Sequence, residues 1–222
     1  MSQLMFNLPY GFFIAIEGSD GAGKTTVIPK LAEYLKPFVK ELVVTREPGG
    51  TPFAEKIRNI LKDDVSKDVS HTALAMLVNA ARRDHVENVI MPALSRGGVI
   101  ITDRYVCSTF MYQSDAVELA TLCELGTIAV IPDLVILLDI SYDTYVKRIM
   151  PRVENGELSK EELNHLDIMS EAVFNKRRQG MLAFKDKYSS HCVLLDSNLL
   201  DEETLNETCQ SIIFVAMQNK SQ

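Results

Sequence analysis

The sequence predicts a wound α/β domain, with about five parallel strands in one sheet and helices packed on both faces. Three observations carry this reading. Five short apolar runs alternate along the chain with longer segments of helical period. Those runs show almost no polar alternation, as expected of strands covered on both faces and left without a solvent side. The 222 residues, 46% apolar and 24% charged, suffice for one sizeable core, so 1–222 is expected to form a single domain.

The elements follow in order. Residues 12–16 form the first expected strand, followed by a helix over 24–36. Residues 42–44 form the second, followed by a helix over 52–62. A long helix over 71–94 precedes the third strand at 98–101, and another over 115–128 precedes the fourth at 134–138. Helices over 142–150 and 167–186 lead to the last strand at 192–195, and a helix over 200–217 closes the pattern. Such strand–helix–strand units close with parallel strands and right-handed crossovers. Over 150–166, Pro151, Asn155, Gly156 and Ser159 interrupt a run of charges, which reads as a solvated loop.

Composition excludes some partners. A net charge of −7 argues against a general nucleic-acid surface, which needs an excess of Lys and Arg. No stretch approaches the roughly 20 apolar residues of a membrane span, and residues 1–10 show no signal-peptide pattern. A cytoplasmic location is expected. Cys107, Cys123, Cys192 and Cys209 are dispersed, form no CxxC pair, and read as reduced apolar residues.

The chemistry begins after the first strand. Gly18, Ser19, Asp20, Gly21, Ala22, Gly23, Lys24 and Thr25 match GxxxxGK[ST] in full, with Thr26 following. Glycines let the backbone curl so that successive N–H groups face phosphate oxygens, and the helix that follows adds its positive end. Lys24 is then placed to reach the β- and γ-phosphates of ATP, and Thr25 to hold magnesium. The expected architecture is therefore a three-layer P-loop NTPase fold. Asp103 ends an apolar strand at its carboxyl edge, where such sheets hold Mg2+ directly or through water.

Thr45-Arg-Glu-Pro-Gly-Gly-Thr51, Asp103-Arg104-Tyr105 with Ser108, Thr109, Tyr112 and Gln113 behind it, and Pro132-Asp133-Leu134 together resemble the thymidylate kinase family. The resemblance runs essentially end to end. It implies ATP and a deoxynucleoside monophosphate as substrates, a homodimer packed through helices, and a mobile lid at about 150–166. The apolar faces of the expected helices 71–94 and 115–128 are compatible with that homodimer, and equally with core packing. The resemblance places Asp20 on the sugar 3′-hydroxyl and Glu47 and Pro48 in the acceptor loop. Arg58 and Arg104 fall on the acceptor phosphate, Arg82 on the pyrimidine edge. Ser108, Thr109 and Gln113 surround the base, and Tyr112 lies near the sugar. Planar guanidinium groups grip phosphate oxygens two at a time. Phosphoryl transfer asks mainly for positioning and charge neutralisation, so Lys24, Arg104, Glu47, Arg148 and Arg152 are the expected catalytic set. His85, on the same helix face as Val78 and Arg82, reads as structural.

Three departures from the family stand out. Val78 takes the place of a stacking phenylalanine, a loss of about 1–3 kcal/mol unless Phe110 or another ring substitutes. Met111 replaces a small alanine, which is expected to change the pocket's shape. Gly21 stands where one branch carries an arginine, so cations are expected from Arg148 and Arg152, with His165 in the place of a lid arginine. The first two leave room for a kinase of 5-substituted deoxyuridylates or of a broader deoxynucleotide set. A nucleotide switch that transfers nothing fits less well, because it needs no acceptor arginines.

Overall fold

The computed structural model describes residues 6, 8–63, 68–113, 117, 118, 120, 121, 124, 130–156, 169–198 and 200–221. Its strands are β1 (Phe12–Gly18), β2 (Leu42–Arg46), β3 (Val99–Asp103), β4 (Leu134–Asp139) and β5 (Cys192–Asp196). They form one all-parallel sheet in the order β2-β3-β1-β4-β5. The expected α/β architecture is the one observed.

Each strand runs one or two residues further at its carboxyl end than its apolar run. In register, Ile16 and Arg46 both face Asp103, Gly18 faces Leu138, and Asp139 faces Asp196. The carboxyl edge of the sheet is therefore a row of polar residues and loop starts. Alternation on β1 divides the core. Phe12, Ile14 and Ile16 pack on one side with Val27, Leu31 and Ile213, while Phe13 and Ala15 pack on the other with Tyr105, Phe110 and Phe184.

The helices are α1 (Lys24–Leu35), α2 (Pro52–Lys62), α3 (His71–His85), α4 (Met91–Ser95), α5 (Val106–Gln113), α6 (Tyr142–Glu154), α7 (Glu171–Lys187) and α8 (Glu202–Ser221) among the described residues. The side chains of Thr51, Ser70, Ser141 and Ser170 cap α2, α3, α6 and α7, each accepting from the backbone N–H three residues on. The single helix expected over 71–94 is divided. A π-type turn at Val86–Ile90 separates α3 from α4. Pro92 lacks the N–H that would reach the carbonyl of residue 88, so a regular ladder cannot continue through it.

Two further differences concern the site. Residues 106–113, for which no helix was expected, form α5. The helix expected over 142–150 continues to Glu154 through Pro151, so the start of the expected lid is helical. Cys123, His165, most of 115–128 and residues 157–166 of the lid lie outside the described residues.

Helices α5 and α7 meet at Gly180, where an added Cβ would stand 2.3 Å from the Phe110 carbonyl oxygen and 3.1 Å from the Met111 Cα. Alanine in a helix gains about 1 kcal/mol over glycine, but here it meets rigid backbone. Gly180→Ala is expected to lose a net 1–3 kcal/mol, in the range of overpacked cores, with a melting midpoint lowered by several degrees. An unchanged or raised midpoint would show that the two helices can separate freely.

Candidate functional site

The phosphate loop turns between β1 and α1, with Gly21 (φ 76°) and Gly23 (φ 104°) in the left-handed region. Curling the N–H groups inward turns the loop's carbonyls outward, and these carbonyls find partners from four elements. Lys24 Nζ donates to Gly18 O (2.9 Å) and Ser19 O (2.8 Å). Arg104 NH1 also donates to Gly18 O (3.2 Å). Arg148 NH1 on α6 donates to Gly21 O (2.9 Å) and its NH2 to Ser197 O (2.8 Å). Buried Ser197, just past β5, donates its hydroxyl to Ala22 O (2.9 Å). A Cβ at Gly21 would stand 3.5 Å from Arg148 Cβ, so α6 lies directly over the loop and brings its arginine there.

Burial lowers the Lys24 pKa to about 8, and Arg104 beside it pushes the same way against Asp20, Asp103 and Glu17. Arg104 is largely enclosed, its side chain 17% exposed. Burial opposes its charge, but Tyr112, Asp20, Asp103 and Glu17 outweigh that and raise its pKa. Its NH2 meets Asp20 Oδ1 at 2.5 Å, and its backbone is left-handed (φ 67°), a conformation a non-glycine residue holds only when its surroundings enforce it. Asp20 feels burial first, which raises its pKa, yet Arg104, Lys24 and Arg177 together bring it below the ordinary carboxylate value.

The enforcing group is Glu17 on β1, fully buried. Its Oε1 accepts from the N–H groups of Tyr105 (2.6 Å) and Ser108 (3.1 Å), and its Oε2 from the Ser108 hydroxyl (2.7 Å). It thus holds the first turn of α5, and Ser108 belongs to that bracket. Burial raises the Glu17 pKa despite these donors and Arg104.

A second buried bracket stands at Glu47. Arg82 Nε donates to Glu47 Oε2 (2.7 Å), and His85 Nδ1 lies 3.1 Å from Oε1. His85 Nε2 reaches Thr45 Oγ1 (2.8 Å), which makes it the structural histidine the sequence suggested. Arg82 also donates to Asn79 Oδ1 (3.0 Å), Tyr105 O (3.1 Å) and Thr109 Oγ1 (3.1 Å). Most of its donors are therefore held by protein. Arg58 NH1 donates to Pro48 O (3.0 Å) and fixes the same loop from α2.

These parts open on one cavity of about 1130 Å³. Asp20, Gly21 and Gly23–Thr26 line it from the loop. Glu47, Pro48, Arg58, Val78, Arg82, Asp103, Arg104, Ser108, Thr109, Tyr112, Gln113, Arg148 and Arg152 line it elsewhere. Of the expected site residues, Gly18, Ser19 and Ala22 stand behind its wall. Eight Lys and Arg side chains line it against six carboxylates, the reverse of the balance in the whole chain. Phe110 and Met111 do not line it. Both are buried in the core, Phe110 edge-to-face with Phe184, so Phe110 does not replace a ring at Val78 and Met111 does not reshape the cavity.

Sequence reasoning missed Glu17, Ser197 and Arg177. Arg177 on α7 lines the cavity and lies 4.7 Å from the Tyr112 ring, which Arg104 also faces at 5.2 Å. The i, i+1, i+4, i+5 spacing of Ser108, Thr109, Tyr112 and Gln113 was itself the signal for α5.

A curled phosphate loop facing a group of arginines across one cavity defines the nucleoside-monophosphate kinase class of P-loop α/β proteins. Residues 16–208 match the family model for thymidylate kinase, and the chain belongs to the thymidylate kinase family. It is 34% identical to the thymidylate kinase of Lactobacillus helveticus over 208 residues, covering 91% of this chain and 95% of that one. It is 36% identical to that of Geobacter sp. (strain M21) over 214 residues, covering 91% and 94%. The crystal structure of the thymidylate kinase from Ehrlichia chaffeensis superposes with a TM-score of 0.71 at 26% identity, covering 93% of this chain and 99% of that one.

Two outcomes follow from the geometry. An anion on Lys24 raises its pKa from about 8, so ATP binding takes up a proton above that pH and weakens as pH rises through it. Below pH 8 the ammonium is charged with or without ligand, and this contribution is flat. Calorimetry at pH 8.5 in buffers of different ionisation enthalpy should register the uptake, and Lys24→Met should abolish it. Arg82→Ala should destabilise the fold by about 3–5 kcal/mol, because it leaves Glu47 buried beside a single partner. A urea midpoint equal to that of the parent chain would contradict this.

Proposed function

We propose that the chain transfers the γ-phosphoryl group of ATP to thymidine monophosphate, giving ADP and thymidine diphosphate. The observation that carries the reading is the opening of the phosphate loop and of Arg58 and Arg104 on one cavity, with donor and acceptor sites facing each other. Membership in the thymidylate kinase family supports the same pair of substrates.

The donor's phosphates lie on the loop N–H groups, with Lys24 and Arg148 neutralising their charge. Arg58 and Arg104 hold the acceptor phosphate so that its oxygen faces the γ-phosphorus in line. Most of the rate then comes from holding reactants in place and from fixed positive charge. Glu47 acts through the groups it braces, and Arg152 adds charge from the last turn of α6. Asp20 takes the sugar 3′-hydroxyl and Tyr112 lies beside the sugar. Val78, Thr109 and Gln113 face the base, with Arg82 holding Thr109 in place. Gln113 Oε1 is buried without a hydrogen-bond partner among the described residues, so it offers an acceptor to a base N–H.

The donor set suits magnesium. Asp103 Oδ1 is likewise buried and unpartnered among the described residues, and Thr25 lines the same cavity. A hard cation seeks such oxygens, and when bound it supplies charge neutralisation between the phosphates. The chain is also read as one kinase domain with a lid at about 150–166. We read it as a homodimer, to which exposed Met76 and Met91 offer apolar surface. No described helix is long and apolar enough to cross a membrane, in keeping with work on dissolved nucleotides in the cytoplasm.

The test is a panel of nucleoside monophosphates assayed with ATP and magnesium. Thymidine monophosphate is expected to give the highest kcat/KM, and EDTA to abolish turnover. A different best acceptor would overturn the base assignment, and ADP release that ignores every monophosphate would overturn the transfer.

A further inference from the structure

We propose that Arg177 is a further phosphate-binding residue of the acceptor site, gripping the monophosphate together with Arg104. The inference rests on the reading that the cavity takes a nucleoside monophosphate.

Its orientation is set by its neighbours on α7. Arg178 is committed to Asp139 at the end of β4, with Nε on Oδ1 (2.7 Å) and NH2 on Oδ2 (2.6 Å). That bidentate pair fixes the rotation of α7 about its axis. Adjacent helical residues point about 100° apart, so anchoring Arg178 on the sheet turns Arg177 toward the cavity. Gly180, three residues on, lets α7 approach the backbone of α5 at Phe110. The close approach sets the Arg177 guanidinium 4.7 Å from the centre of the Tyr112 ring, with Arg104 at 5.2 Å from the same ring.

Among the described residues, Arg177 lacks an anion. Arg46, Arg82, Arg83, Arg96, Arg104 and Arg178 each meet a carboxylate. Arg177 has no carboxylate within salt-bridge distance among the described residues, and its NH1 donates to the thioether of Met169, a weak acceptor. A guanidinium that lines a cavity, held against an aromatic face and met among the described residues only by sulfur, is poised for phosphate oxygens. Its charge already acts on Asp20 and Tyr112. Neutralising Asp20 is the competing role, but Arg104 already meets that carboxylate directly.

The experiment compares thymidine monophosphate with thymidine, which lacks only the phosphate, by calorimetric titration of the parent chain, Arg177→Gln and Arg177→Lys. Arg177→Gln should weaken monophosphate binding about ten- to a hundredfold, the size of one charge-assisted contact. Thymidine affinity should change less than about threefold, and Arg177→Lys should recover part of the loss. If both ligands weaken equally, Arg177 only shapes Tyr112 and Asp20, and the inference fails. It also fails if neither changes. Should Arg177→Gln not fold, Arg177→Lys decides alone: a compact charge without the fork must lose monophosphate affinity and keep thymidine affinity. A parent chain that binds no thymidine monophosphate would overturn the function itself, which is a distinguishable result.

Discussion

The structure turns on the outward carbonyls of a loop whose N–H groups face inward. A backbone coiled to present donors to phosphate must leave its acceptors on the far side, and in a dry setting each needs a donor. Gly18, Ser19, Gly21 and Ala22 obtain theirs from Lys24 on α1, Arg104 after β3, Arg148 on α6 and Ser197 after β5. Those donors come from widely separated parts of the chain, and they converge because a parallel sheet delivers every strand's carboxyl end to one edge. The site is thereby wired to the topology.

The opposite wall of the cavity is built on the same plan with the polarity reversed. There the braces are two buried carboxylates, Glu17 and Glu47, each meeting several donors. Glu17 fixes the first turn of α5 and, through it, the left-handed Arg104. Glu47 fixes Arg82 and His85 of α3. Because the carboxylates sit in the wall, the arginines around them hold their places before any ligand arrives, and little reorganisation is left for the reaction.

Most of the fold was legible in the sequence, because covered strands and capped helices leave strong local signals. Strand ends were read short, since Arg46, Asp103, Asp139 and Asp196 break the apolar run while the ladder continues. Of the site, the motif residues were legible and their braces were not. Glu17 inside a strand looks like the end of that strand, and Ser197 like an ordinary loop serine. Arg177 and Arg178, side by side on an amphipathic helix, look like a solvated face until Gly180 shows how closely that helix packs. Phe110 and Met111 misled for the converse reason. They sit inside a site motif, yet a helix turns one face of any motif toward the core.

One consequence lies in the carbonyl oxygen of Gly18. Two cationic heads, Lys24 and Arg104, converge on this single neutral atom, and the lysine's basicity is depressed first by its burial and then by the arginine beside it. Without nucleotide the pocket thus holds a lysine charge that its enclosed setting disfavours. An incoming polyphosphate compensates it, so occupancy should tighten the sheet edge as a whole, with the ligand acting as a missing piece of the scaffold.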